Sequence, residues 1–129
     1  MKLEAYIDGG SRGNPGEAGI GVYVPGVVRI REYLGTGTNN FAEYSGLLAA
    51  LEYAVREKYP SIKVVSDSEL LVRQMKGQYR VKNPGLIELY DRARTLVGKL
   101  ERFSIDHVLR EHNREADRLV NKVLDSRRG

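Results

Sequence analysis

The order of the hydrophobic periodicities constrains this chain more than any other feature. Leu3, Ala5 and Ile7 alternate with Lys2, Glu4 and Tyr6, the period of two that turns one strand face toward a core. Asp8 stands at the end of that strand. The stretch DGGSRGNPGEAG, with five glycines and one proline, reads as a loop, after which Ile20, Val22 and Val24 alternate again. Pro25 and Gly26 turn the chain into a third strand, Val27 to Leu34, and Gly35 to Asn40 reads as a second polar loop. From Phe41 to Lys58 the period changes to that of a helix, with Tyr44, Leu47, Leu48, Leu51, Ala54 and Val55 on one face and Pro60 beyond its end. A short strand, Ile62 to Ser66, leads to Asp67, and a short helix around Leu70 to Met75 stops near Gly77. Pro84 opens a helix running to about Leu100, and Phe103, Ile105, His107 and Leu109 alternate as a fifth strand. Ala116, Leu119, Val120, Val123 and Leu124 then repeat as a closing helix with Asn113 as its N-cap. Three strands, helix, strand, helices, strand, helix is the order of an α/β fold: a five-stranded mixed sheet with helices on both faces. Strands one, four and five can lie parallel, so ligands are expected beyond their carboxyl ends. We read residues 1–125 as a single domain and 126–129 as a frayed tail.

Composition narrows the chemistry. The chain has 129 residues, 41% of them hydrophobic, and 21 Lys and Arg against 17 Asp and Glu, which excludes a disordered or collagen-like chain and permits a nucleic-acid partner. No apolar run is long enough to span a membrane, and Glu4 falls where a signal peptide would be apolar, so a cytoplasmic protein is expected. Cysteine is absent and only His107 and His112 are present, so any metal must be held mainly by carboxylates.

Four carboxylates are placed to do so. Asp8 follows strand one and Asp67 follows strand four, so parallel pairing of those strands would project both from one end of the sheet. Glu43 lies in the first turn of the long helix and Asp117 near the start of the last, and both helix starts can face that edge. Like charges a few ångströms apart raise one another's pKa unless cations are supplied, and Mg2+ prefers hard oxygen ligands of this kind. Singly, each acid has a plainer role: Asp8 as a turn residue, Asp67 as an N-cap, Glu43 in a capping box with Asn40, Asp117 as a surface partner of Arg114 or Asn121.

Together, Asp8 in YIDGGSRGNPGEAG, Glu43 in TNNFAEYSGLLAALE, Asp67 in VVSDSELLVRQ and Asp117 in EHNREADRL resemble, in kind, order and spacing, the four acidic motifs of type 1 ribonuclease H. The resemblance covers nearly the whole chain. It implies the ribonuclease H-like fold, with strand two antiparallel, and an endonuclease that cuts the RNA strand of an RNA/DNA hybrid to leave 3′-hydroxyl and 5′-phosphate ends. It also implies two Mg2+ ions, with Mn2+ as a substitute: Asp8 bridging both, Glu43 and Asp67 on the ion nearer the leaving group, Asp117 on the other. Asn14 and Asn39 would touch the minor groove, where the 2′-hydroxyl marks the RNA strand, and Thr38 would help seat a DNA-strand phosphate. Asn40, Ser68, Glu69 and the close-approaching Gly9 and Gly10 complete the expected substrate contacts.

The chain also departs from the family pattern. Glu69 stands where bacterial members often carry glutamine, which changes charge and donor capacity. The stretch from Met75 to Leu86 is brief and lacks Trp, so this is a compact form without the basic protrusion of many relatives. Lys76, Arg80 and Lys82 either replace part of that grip or form a solvated face. The loop before the last helix is short, and His112 is the candidate for the assisting histidine that relatives place there; a solvent-exposed His beside the N-cap is the alternative. His107 reads as a half-buried sheet residue, and Arg110 as a ligand at the edge of the site. Two competing functions remain open at this point: a transposase- or resolvase-like DNA nuclease on the same fold, and a non-catalytic hybrid-binding module. A monomer with no obligate protein partner is expected.

Overall fold

A computed structural model describes residues 2–127. The elements are β1 (Lys2–Gly13), β2 (Gly16–Val24), β3 (Val28–Gly37), α1 (Asn39–Arg56), β4 (Ser61–Ser66), α2 (Glu69–Met75), α3 (Pro84–Val97), β5 (Arg102–His107), a single 3-10 turn (Arg110–His112) and α4 (Arg114–Ser126). They build one five-stranded mixed sheet in the order β3-β2-β1-β4-β5. β2 runs antiparallel to both β1 and β3, whereas β1, β4 and β5 are parallel.

The apolar periodicities decide the layers. Leu3, Ala5 and Ile7 of β1, Val22 and Val24 of β2 and Ile62 and Val64 of β4 face Leu47, Leu51 and Ala54 of α1, and α2 and α3 extend the same core through Leu71, Met75 and Leu89. In this layer the buried Tyr44 hydroxyl donates to Oε1 of buried Gln74 at 2.6 Å, so these two polar tips satisfy one another. α4 covers the opposite face, where its side chains close on β2: a Cβ at Gly21 would lie 2.7 Å from Cβ of Leu119. No helix among the described residues is long and apolar enough to cross a membrane.

The glycine-rich stretch after Asp8 is not a loop. β1 continues through it to Gly13 and pairs residue by residue with β2, Asp8 opposite Gly21 and Gly13 opposite Gly16, so only Asn14 and Pro15 turn. Glycine weakens a strand on its own, but the antiparallel ladder with β2 satisfies the backbone and overrides that propensity. β3 likewise runs on to Gly37, and α1 begins at Asn39 rather than Phe41. α3 ends at Val97 and β5 at His107; Leu109 is 60% exposed and outside the strand. His107 is exposed rather than half-buried. At the C-terminus Ser126 is helical and the Arg127 guanidinium sits over the Tyr33 ring, 4.2 Å from its centroid, so these two residues are not frayed. The rest of the expected tail, residues 128 and 129, lies outside the described residues.

Candidate active site

Topology places Asp8. The parallel pairing of β1 with β4 ends at Ile7 opposite Ser66, so Asp8 is the first β1 residue beyond the end of β4, and Asp67 follows Ser66 at the same edge. Glu43 reaches this edge because β1 and α1 approach each other closely. A Cβ at Gly9 would lie 2.2 Å from the Ala42 carbonyl oxygen, and one at Gly46 would lie 2.9 Å from the Asp8 carbonyl oxygen. Gly9 is therefore required by the packing of α1, whereas Gly10 has room for a Cβ.

The result is an open cleft of about 440 Å3 whose lining includes Asp8, Glu43, Asp67 and Asp117. One carboxylate oxygen from each of Asp8, Glu43 and Asp67 lies within 4.8 Å of the others. Asp117 belongs to the same cleft but not to that close trio; it stands on the first turn of α4, where Arg110 Nη2 reaches it at 3.4 Å and Asn121 Nδ2 at 3.5 Å.

The trio is electrostatically unfavourable as it stands. Burial pushes Asp8 up to about 9, and the charges of Glu43, Asp67 and Asp117 push in the same direction. Burial and Asp67 push Glu43 up to about 7, against the Gly9 N–H, which donates to Glu43 Oε1 at 2.7 Å, and hydrogen bonds with Asp8 and Ser68. Burial also raises Asp67, partly opposed by the nearby Asn113 amide and by the positive charge of Arg110. Such a group of acids ionises fully near neutral pH only with a cation among them, and its all-oxygen donor set suits Mg2+ or Mn2+.

Beside the acids, backbone and amide groups of β1 and α1 form a small polar lattice. Ser11 donates its N–H to Asn39 Oδ1 at 2.9 Å and its hydroxyl to the same oxygen at 3.1 Å. Asn39 N–H donates to Asn14 Oδ1 at 3.1 Å, tying the hairpin turn to the helix start. Thr38 is the N-cap of α1, accepting from Phe41 N–H at 3.1 Å. The Asn40–Glu43 capping box therefore does not form, which leaves the Glu43 carboxylate free to face the cleft. Ser68 caps α2 and Asn40 lines the cleft, but Glu69 pairs with Arg73 at 2.8 Å and is not among the lining residues.

Two residues stand elsewhere than the sequence led us to expect. His112 does not line the acid cleft; it is exposed in a separate depression formed with Tyr6, Tyr23 and Arg114. The 3-10 turn that replaces a longer loop aims Arg110, not His112, toward Asp117. Asn113, read as an N-cap, makes no capping hydrogen bond; its side chain is buried against β1. Arg12 was not anticipated in the cleft wall. It lies beyond Ser11 and pairs with Asp125 of α4 at 2.6 Å, a contact 113 residues apart in sequence that no local pattern announces.

A family model described as reverse transcriptase-like matches residues 8–123. The crystal structure of RNase H1 from the halophilic archaeon Halobacterium salinarum NRC-1 superimposes with a TM-score of 0.93 at 39% identity, covering 98% of this chain and 99% of that one. The chain belongs to the ribonuclease H family. The structure of LC11-RNase H1 in complex with an RNA/DNA hybrid is similar to the same degree, with a TM-score of 0.92 and 37% identity over 98% of this chain and 99% of that chain. Among curated relatives, the bifunctional protein Rv2228c of Mycobacterium tuberculosis is 41% identical over 98% of this chain. This ribonuclease H chain spans 36% of that protein's length and 65% of the length of the Halobacterium salinarum ribonuclease HI, to which it is 41% identical.

Proposed function

We propose that this chain hydrolyses the RNA strand of RNA/DNA hybrids, using two divalent ions held by Asp8, Glu43, Asp67 and Asp117 and leaving 3′-hydroxyl and 5′-phosphate ends. The observation that carries the reading is the convergence of four carboxylates, from β1, α1, the end of β4 and α4, in one open cleft. The hybrid bound to the similar LC11-RNase H1 supports the substrate. When bound, Mg2+ would activate water and stabilise the charge that develops on the phosphate oxygens.

The chain's own groups do the rest. The trio presents oxygen ligands from β1, α1 and the end of β4, so little reorganisation accompanies binding. Asp117 sits at the edge of the cleft, held by Arg110 and Asn121, and would complete the ligand set as the substrate backbone enters. Ser11, Asn14 and Asn39 form a pre-ordered polar ridge that would lie along the minor groove and test for the 2′-hydroxyl, with Asn40 next to it. Thr38, at the exposed start of α1, would seat a phosphate of the DNA strand. Every one of these groups comes from one chain, so the proposal needs neither a second copy nor a protein partner.

Matched hybrid, DNA duplex and RNA duplex of one sequence, each labelled on one strand, test this directly. The RNA strand of the hybrid is expected to be cut at least tenfold faster than either strand of the DNA duplex, a low threshold for a site that hydrogen-bonds a hydroxyl the DNA lacks. Equal cutting of the DNA duplex would overturn the proposal in favour of a DNA nuclease.

A further inference from the structure

Asn113 is 1% exposed, yet it is a polar side chain at a helix start that it does not cap. Its Nδ2 donates to the Ile7 carbonyl oxygen at 2.8 Å, across 106 positions of sequence. Its own carbonyl oxygen accepts from Asp117 N–H at 3.1 Å. One residue therefore joins the strand position just before Asp8 to the backbone of Asp117. Its Oδ1, by contrast, is buried and has no partner among the described residues. An orphan buried acceptor is costly, so this amide is poorly suited to stability alone, and the hydrogen bond to Ile7 is made by its donor side.

We propose that Asn113 is a positioning residue that holds the start of α4, and with it Asp117, against β1 beside Asp8, and thereby sets the divalent-ion affinity of the cleft. The inference rests on the reading of the cleft as an ion site. A neutral donor fits this place: it holds the Ile7 carbonyl without placing a further charge, positive or negative, beside the acids. Groups that orient metal ligands in this way typically change ion affinity or turnover by about 10- to 100-fold when removed.

The test is titration calorimetry of Mn2+ and Mg2+ into the free protein, wild type and Asn113→Ala, with turnover followed against ion concentration. The variant is expected to bind Mn2+ about tenfold or more weakly, to need correspondingly more Mg2+ for half-maximal turnover, and to keep its KM for hybrid. Unchanged ion affinity and ion requirement, with only a lowered melting temperature, would show a purely structural residue and overturn the proposal. Should Asn113→Ala not fold, NMR of the wild-type Asn113 side-chain amide during Mg2+ titration decides: its protons are expected to shift as the ion binds, and resonances that stay fixed at saturation would refute it. Because the ion-binding arms need no cleavage, a wild type that binds ions but leaves hybrid intact would count against the proposed function while leaving the role of Asn113 standing.

Discussion

The floor and the rim of the acid cleft are built differently. On the floor, Asp8 is buried, Glu43 and Asp67 are half-buried, and all three are carried by the sheet and the helix packed on it. At the rim, Asp117 is also half-buried, but it stands on α4 and has its own counter-charge in Arg110 at 3.4 Å. The floor is thus short of positive charge and the rim is not. Rigid packing of β1 against α1 holds repelling groups together on the floor, so stability is spent to preform an ion site. The rim acid can be locally compensated while the cleft is empty.

If that contrast is right, substitutions on the floor act most strongly on turnover. Asp8→Asn is expected to lower kcat by on the order of 10³-fold or more, comparable to removing a fixed group at the reacting centre, with the fold retained by circular dichroism. Asp117→Asn is expected to lower it by a smaller factor, about 10²-fold, part of which higher Mg2+ restores. Equal losses for the two would remove the distinction between floor and rim.

Stability should respond in the opposite sense. The folded-state pKa values of Asp8, about 9, and Glu43, about 7, lie above the usual carboxylate range, so the folded chain keeps protons that the unfolded chain releases above about pH 4. The contribution is fully present below about pH 4 and is lost as pH rises through about 7 and then about 9. In EDTA the melting temperature of the wild type should therefore fall between pH 5 and pH 9, and Asp8→Asn should melt higher at pH 9, by on the order of 5 °C. Added Mg2+ should restore the wild type and leave the variant nearly unchanged.

How much of this was legible beforehand depended on how local each signal was. Asp8, Glu43, Asp67 and Asp117 could be found because Asp8 stands where the pairing of β1 with β4 ends, Asp67 follows β4, Asp117 is in the first turn of α4 and Glu43 lies one turn into α1, and the topology then brings those places together. The hairpin from Asp8 to Gly21 could not, because glycine and proline advertise a turn whereas the pairing that overrides them is with another strand. Asn113 has the sequence position of an N-cap, and only packing shows that its amide turns inward. His112 was chosen by residue type; the short 3-10 turn decides which side chain reaches the cleft, and it presents Arg110.

The smaller expected effects sharpen the same picture. Arg110→Ala should leave stability within about 1 kcal/mol, as exposed ion pairs usually do, while increasing the Mg2+ dependence of turnover if Arg110 compensates Asp117 in the empty cleft. His112→Ala should change stability by no more than about 0.5 kcal/mol and leave turnover at wild-type level at all pH values. A loss of activity confined to low or high pH would bring this histidine back into the reaction.

The most direct test of the central claim, that these four acids form an ion-dependent site for cutting RNA paired with DNA, is cleavage of a uniquely end-labelled hybrid across a Mg2+ titration, with both strands and both fragment ends analysed. The account predicts RNA fragments bearing 3′-hydroxyl and 5′-phosphate ends that appear only with divalent ion, beside an intact DNA strand. Cleavage that persists in EDTA, or fragments from the DNA strand, would contradict it.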